Sequence, residues 1–200
     1  MRDDNPNQRC LFETATGQAG YFTAAQARAC GYSWALLSHH AANGRFVRVR
    51  RGLYRLRDYP SSPREEVMAA WLAAGSGAVV SHESALDLLG LTDVIPDQIH
   101  LTVPRSTRGR RPPRALAIHT SERPPDGAEV VIRDGMRVTG AARTITDMAR
   151  AGLAPDQLSI AVNQALVRGL TTRDQILSAA HNQGARVLQS VGRLLDRSAN

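Results

Sequence analysis

The sequence has no lysine, and all 25 of its basic residues are arginines. This absence excludes a Walker-type phosphate loop, a Schiff base and the lysine that binds nucleotide phosphates in ordinary protein kinases. It does not forbid an unusual kinase site. We interpret the missing lysines as the codon bias of a GC-rich genome and not as a functional feature.

Cysteine is also scarce. Cys10 and Cys30 are too few for a disulfide framework, so we expect two small buried apolar groups in a reducing compartment. A zinc site that joined them to His39 and His40 would lack the usual Cys-x-x-Cys spacing. The sequence therefore predicts no metal site and no cofactor.

Long hydrophobic runs are missing as well. No uncharged stretch reaches the length of about 20 mostly apolar residues that a membrane helix needs, and the apolar stretch 68–81 has 14 residues. Asp3 and Asp4 stand where a secretory signal would have a basic start, so no export signal is predicted. We expect a cytoplasmic protein without a membrane partner.

What the sequence does have is a segregated charge. The chain of 200 residues is 42% hydrophobic and carries a net charge of +7, which suits one domain or two small ones. Residues 1–57 hold nine arginines and three acidic residues, residues 58–104 hold one arginine and seven acidic residues, and 105–114 hold five arginines and no acid. This pattern indicates two domains and an anionic partner.

Two helix-start signals near the N-terminus predict a helix-turn-helix. Thr23 and Gln26 have the spacing of a capping box, and Ser33 is a second N-cap. Gly31 between the two helices supplies the positive φ of a sharp turn. In a helix-turn-helix frame that begins at Thr23, Ala27 occupies the position where only a small side chain lets the helices approach.

The same frame predicts the orientation of the second helix. Leu37 and His40 face inward, and the start of the helix faces outward, where a recognition helix meets base edges. Helical hairpins with a glycine turn also occur in proteins that never touch DNA. The predicted DNA-contacting residues of this helix are Ser33, Trp34, Ala35, Ser38 and His39.

A basic β-hairpin follows the second helix. Residues 45–49 alternate as a strand, 50–52 make a turn and 53–56 alternate back. A winged helix lays such a hairpin along phosphates or inserts an arginine into the minor groove. The alternative is a solvated edge hairpin whose charge prevents aggregation. Because no acidic residue balances it between Glu13 and Asp58, we predict DNA contacts from Arg45, Arg48, Arg50, Arg51 and Arg55.

Beyond the linker at 59–63 the patterns predict a second domain with strands first and helices last. The predicted fold class is α+β, with a winged helix-turn-helix at 1–57 and a mixed α+β domain with a helical C-terminal end at 63–200. The strands are expected near 78–81, 98–103, 115–119, 128–133 and 136–139, and the final helices near 141–150, 155–168, 172–181 and 185–197.

Few residues of the second domain suit acid–base chemistry. Arg143 and Asp147 are one helical turn apart and are expected to pair, whereas His82 and Glu83 lie at a helix start, where cap chemistry explains them. His100 is the remaining residue of the second domain that suits such chemistry. We predict no catalytic residue, and His82 and Asp147 are the candidates if an activity exists.

Several motifs, in order, resemble the AbiEi family of antitoxins over about residues 15–170. The segments that resemble the N-terminal winged-helix domain of that family are 20–28, 31–33 and 44–54, and those similar to its C-terminal domain are 81–86, 99–104 and 138–147. The resemblance implies the antitoxin of a two-gene toxin–antitoxin operon. It also implies repression of the protein's own promoter at inverted repeats of double-stranded DNA, and a nucleotidyltransferase-fold toxin as partner.

Three functions remain open at the level of sequence. The first is a DNA-binding autorepressor and antitoxin. The second is a direct neutraliser whose acidic segment 58–97 docks on a basic face of the toxin. The third is an enzyme that modifies the toxin, for example by phosphorylation. Some longer relatives continue into a nuclease-like domain, and because this sequence stops at Asn200 we expect no nuclease activity.

The most basic stretch, 105–114, is predicted to be a second contact with the DNA backbone. Its two prolines and its glycine equally suit a mobile solvated connection between strands. The residues proposed for the contact are Arg105, Arg108, Arg110, Arg111 and Arg114.

Overall fold

The structure is a computed structural model that describes residues 6–93, 95–107 and 114–197. These residues form two compact units. One contains the described residues of Met1–Ser76 together with Asp134–Met136, and the other contains those of Gly77–Arg133 and Arg137–Asn200. The linker expected at 59–63 lies inside the first unit, and the domain bounds 1–57 and 63–200 stay a prediction.

Caps set the helix boundaries of the first unit. The backbone N–H of Gln26 donates to Thr23 Oγ1 while the N–H of Thr23 donates to Gln26 Oε1, so the predicted capping box is present. The N–H of Leu36 donates to Ser33 Oγ, and Gly31 has the expected positive φ of 86°. The elements are α1 (Gln8–Thr16), β1 (Tyr21–Thr23), α2 (Ala24–Ala29), α3 (Trp34–Ala42), β2 (Phe46–Arg50), β3 (Leu53–Leu56) and α4 (Glu65–Ala74).

The three strands form an antiparallel sheet in the order β1-β3-β2. The sequence did not predict β1, because three residues are too few to show an alternating pattern. Phe22 of β1 is fully buried, meets Phe46 edge-on at 5.0 Å between ring centroids and stacks on Tyr54 at 5.8 Å. These rings join the sheet to the helices in one core.

The prediction of two separate cysteine thiols is wrong. Cys10 and Cys30 are not separate thiols but form a disulfide, with their Cα atoms 5.7 Å apart. They meet because the start of α1 lies against the end of α2, where the N–H of Asn7 donates to the carbonyl of Cys30 at 2.9 Å. Cys30 is buried as expected, and Cys10 is half-buried.

The elements that follow build a five-stranded sheet and a group of helices. The sheet has the order β6-β5-β4-β8-β7, in which β4 is antiparallel to β5 and parallel to β8, and β5 is parallel to β6. The elements are β4 (Val79–Val80), α5 (His82–Leu89), β5 (Ile99–Pro104), β6 (Leu116–Ser121), β7 (Val130–Arg133), β8 (Met136–Thr139), α6 (Ala141–Ala151), α7 (Pro155–Val167), α8 (Arg173–Gln183) and α9 (Ala185–Arg197).

The helices of the second unit share one apolar core. Helix α6 contacts α5, α7, α8 and α9, and the buried side chains of all five helices form a continuous cluster. Helices therefore gather at the C-terminal end of the chain, and the predicted α+β class is confirmed. Among the described residues, no helix combines the length and the apolar character needed to span a bilayer.

Candidate functional site

Helix α3 has one buried and one exposed face, as the helix-turn-helix frame predicts. Ala27 of α2 and Leu37 of α3 are fully buried, and His40 is half-buried. Trp34 is 60% exposed, and the guanidinium of Arg28 lies 5.4 Å from the centre of its ring. The predicted contact residues are all exposed, namely Ser33, Trp34, Ala35, Ser38 and His39.

Arginines with free side chains occupy the hairpin of β2 and β3. Arg48, Arg50 and Arg51 are exposed, and their side chains make no hydrogen bond or ion pair within the part of the chain that the structure describes. The strand pairing shifts between Arg48 and Arg50. Such a bulge interrupts the alternation of a strand and redirects its side chains, so residues 47–50 are all exposed.

The other two arginines predicted to contact DNA differ from these three. Arg55 has a side chain only 14% exposed, and it donates to the carbonyls of Tyr59 and Pro60 and to Glu65 Oε2 at 2.9–3.2 Å. Its charge is therefore used to hold the segment that follows the hairpin. Arg45 is exposed, and its guanidinium donates to Gln8 Oε1 at 3.1 Å.

The basic stretch 105–114 is described only at its ends. Arg105 and Arg114 are exposed, and Arg105 forms an ion pair with Glu122. Arg108, Arg110 and Arg111 lie outside the described residues. The second DNA contact stays a prediction.

In the second unit, Arg143 and Asp147 pair as the sequence predicts. Arg143 Nε donates to both carboxylate oxygens of Asp147 at 2.9 and 3.0 Å, and its Nη1 donates to Glu129 at 3.1 Å. Gln183 also donates to Asp147, at 2.6 Å. Burial raises the pKa of Asp147, and the adjacent Arg143 opposes that rise. Both carboxylate oxygens of Asp147 thus accept hydrogen bonds within the protein, from Arg143 of α6 and from Gln183 of α8.

Three histidines of the second unit meet in space, and we call His82, His100 and His119 the histidine cluster. One ring nitrogen of each lies within 4.8 Å of the others. The rings of His82 and His119 are parallel with centroids 3.6 Å apart, and His100 Nδ1 is 3.2 Å from His119 Nε2. His119 is not among the residues predicted from the sequence. The parallel register of β5 and β6, which places His119 opposite Thr102, brings it to the cluster, and no local sequence pattern indicates that pairing.

Burial lowers the pKa of all three histidines of the cluster. Burial, followed by the charges of His119 and His100, lowers the pKa of His82 to about 3. Burial and His100 lower the pKa of His119 to about 4. His82 also has a φ of 53°, a left-handed conformation that costs free energy for a side chain of this kind. Such strain persists where the surrounding structure fixes it, and it is frequent at functional sites.

A cavity of about 270 Å³ opens beside the cluster. Its walls carry polar and basic groups, so it suits a polar ligand better than an apolar one. The residues that line it include His82, Thr102, His119, Ser121, Arg143, Asp147 and Arg150.

Comparison with known proteins connects the first unit to a family. Residues 11–57 match a family model described as transcriptional regulator, AbiEi antitoxin. This segment contains α2, α3 and the β2–β3 hairpin. No curated protein matches the chain.

The fold also resembles a solved structure. The crystal structure of the RV2827C protein from Mycobacterium tuberculosis is similar over 94% of this chain and 75% of its own, with a TM-score of 0.57 and 16% sequence identity. At that identity the likeness concerns the fold alone. The family model covers α2, α3 and the β2–β3 hairpin, and the resemblance of the second unit to an AbiEi C-terminal domain stays a prediction from sequence motifs.

Proposed function

We propose that this protein is the antitoxin and transcriptional regulator of a toxin–antitoxin operon, and that its first unit binds duplex DNA as a winged helix-turn-helix. The observation that carries the proposal is the exposed face of α3 beside three arginines, Arg48, Arg50 and Arg51, that have no side-chain partner among the described residues. Both features lie within the segment that matches the AbiEi regulator model.

The proposed DNA complex assigns different tasks to α3 and to the hairpin. Helix α3 enters the major groove, where Ser38 and His39 reach base edges. Arg48, Arg50 and Arg51 contact phosphates or the adjacent minor groove. Arg45 joins them at the surface, and Arg55 is left out because its guanidinium is engaged within the protein.

The finer part of the proposal concerns the operon. The protein represses its own promoter by binding inverted repeats, which bring two protomers onto neighbouring half-sites. Its partner is a nucleotidyltransferase-type toxin, whose activity it counteracts. The AbiEi description of residues 11–57 supports the antitoxin and regulator part of this assignment, and the toxin type and self-repression follow from the sequence resemblance.

The DNA proposal is tested with the full-length protein and fluorescein-labelled duplexes from its upstream region. If about five phosphates are neutralised, log K falls against log salt with a slope on the order of −4 to −5. The double variant Arg48→Ala, Arg51→Ala lowers affinity and makes the slope shallower by about 2. The matched control, Arg186→Ala with Arg193→Ala, removes the same charge from exposed positions of α9 and leaves the slope unchanged.

A salt-independent affinity, or equal effects of the two double variants, contradicts the DNA proposal. Operon function is tested separately with a reporter fused to the protein's own promoter and by co-expression with the product of the adjacent gene. We expect repression of the reporter and rescue of growth. Rescue by a variant that no longer represses would separate toxin neutralisation from DNA binding, and a pull-down would then distinguish direct contact from modification of the toxin.

A further inference from the structure

We propose that His82, His100 and His119 bind one divalent transition-metal ion of the zinc class in the second unit, a function beyond the DNA binding of the first. Each histidine offers one ring nitrogen, and these three atoms lie within 4.8 Å of one another. Imidazole nitrogen suits zinc, copper, nickel and iron, whereas magnesium and calcium prefer oxygen ligands. The donor set therefore selects the chemical class of the ion.

Adjacent elements of the five-stranded sheet bring the three side chains together. His82 begins α5 directly after β4, His100 lies on β5, and His119 lies on β6. The register places His119 opposite Thr102, two residues beyond His100, so His100 and His119 project from the same face of the sheet. The backbone itself thus positions the ligands.

A neighbouring hydroxyl orients one of the rings, and a carboxylate lies near a second. His82 Nδ1 is 3.0 Å from Ser81 Oγ, which accepts a hydrogen bond from the buried Thr102 hydroxyl at 2.8 Å. His100 Nε2 lies 3.8 Å from a carboxylate oxygen of Glu83. Metal-binding histidines commonly direct their second nitrogen to an oxygen in this way. The nitrogens left for the ion are Nε2 of His82, Nδ1 of His100 and Nε2 of His119.

The spacing of two of these nitrogens suits a shared ion. Two nitrogens, each about 2.0–2.1 Å from a tetrahedral zinc ion, are about 3.3–3.4 Å apart. His100 Nδ1 and His119 Nε2 are 3.2 Å apart. The rings of His82 and His119 are parallel, and the nitrogen lone pair of each lies in the plane of its ring, so both cannot point at one ion. One of the two rings must therefore turn when the ion binds. His119 lines the cavity, and the proposal requires its imidazole to turn toward that space as the ion binds.

The charged groups around the cluster are of both signs, with Glu83 and Asp147 against Arg143 and Arg150. Arg143 and Arg150 both line the cavity. Asp147 and Glu129 balance the charge of Arg143, whereas Arg150 donates to the neutral side chain of Gln183 at 3.1 Å. With three protein ligands, a tetrahedral ion keeps one coordination position for water or a substrate.

The test uses full-length protein without an affinity tag, treated with chelator and then titrated with Co²⁺. We expect one equivalent to bind with the strong visible absorption of tetrahedral cobalt, and Zn²⁺ to displace it. His119→Ala should weaken binding by more than the roughly 10-fold to 100-fold loss typical of groups that merely orient ligands. The control His181→Ala changes an exposed histidine of α8 and keeps full affinity.

A second measurement needs no substitution, so it holds even if His119→Ala does not fold. Zn²⁺ titration of the ¹⁵N-labelled wild-type protein should shift the imidazole nitrogens of His82, His100 and His119. Those of His39, His40 and His181 should stay in place. The proposal is overturned if neither Co²⁺ nor Zn²⁺ binds at micromolar protein, if His181→Ala and His119→Ala lose equal affinity, or if the shifts fall on histidines outside the cluster.

Discussion

Ser38 and His39 are the exposed α3 side chains for which a base-edge contact is proposed. Changing either to alanine should reduce discrimination between operator and random DNA by about 1–3 kcal/mol per lost base contact. Arg48→Ala should instead weaken binding to both DNAs by the same factor, because phosphates carry no sequence information. Titration of each variant with the two duplexes measures the ratio. If His39→Ala keeps the wild-type ratio, the recognition-helix frame is misplaced.

Residues whose effect is local could be predicted from sequence. Thr23 and Ser33 cap the helices that begin directly after them, and each accepts a hydrogen bond from the N–H three residues further on. Gly31 sets a single turn, so all three residues are recognisable without knowledge of the fold. His119 could not be found in this way. It lies 19 residues from His100, and only the pairing of two strands brings the rings together.

The packing of α2 on α3 depends on Ala27, which is fully buried. Ala27→Leu should lower the free energy of unfolding by about 1–3 kcal/mol, because the larger side chain forces the two helices apart. DNA affinity should fall with it, since α3 moves. Urea unfolding and anisotropy titration measure the two effects. Ala25→Leu, at an exposed position of the same helix, is the control, and equal losses in the two variants would argue against close helix approach.

The disulfide joins α1 to the end of α2 across 20 residues of sequence. Replacing Cys10 and Cys30 with alanine should lower the free energy of unfolding by about 3 kcal/mol, the loop-closure contribution expected for that length. Urea unfolding without reductant measures the loss. Reductant should destabilise the wild-type protein and leave the double variant unchanged. A wild-type protein indifferent to reductant would show that the bond does not form.

At the scale of elements, sequence patterns predicted the long helices and the alternating strands, but not how they pair. Strand β1 is too short to reveal a period, and its role depends on the match of Phe22 with Tyr54 of β3. The cysteine pair was interpreted wrongly for a similar reason. Its two members lie on different helices, and their proximity is a property of the assembled unit.

For the whole molecule, the basic stretch 105–114 is expected to add affinity without sequence preference. Replacing its five arginines with serine should lower the affinity of the full-length protein for operator and random DNA alike, and make the salt slope shallower. Anisotropy titration over a salt series measures both. The full-length wild-type protein gives the reference slope.

Unchanged affinity and slope would leave this stretch without a role on DNA. Growth rescue then separates the remaining interpretations. A serine variant that binds operator normally but fails to protect cells from the toxin would place the contact of these arginines on the toxin.

The middle strand of the five-stranded sheet, β4, has only two residues, and within the described part of the chain it meets β8 at the single pair Val80 and Val138. On the opposite side, β5 and β6 match over six residues. Local opening follows the line where the fewest ladder bonds must break. Amide hydrogen exchange should therefore divide the sheet into two foldons along the β4–β8 line, with the β5–β6 ribbon protected as one cooperative block and the β7–β8 hairpin exchanging as another.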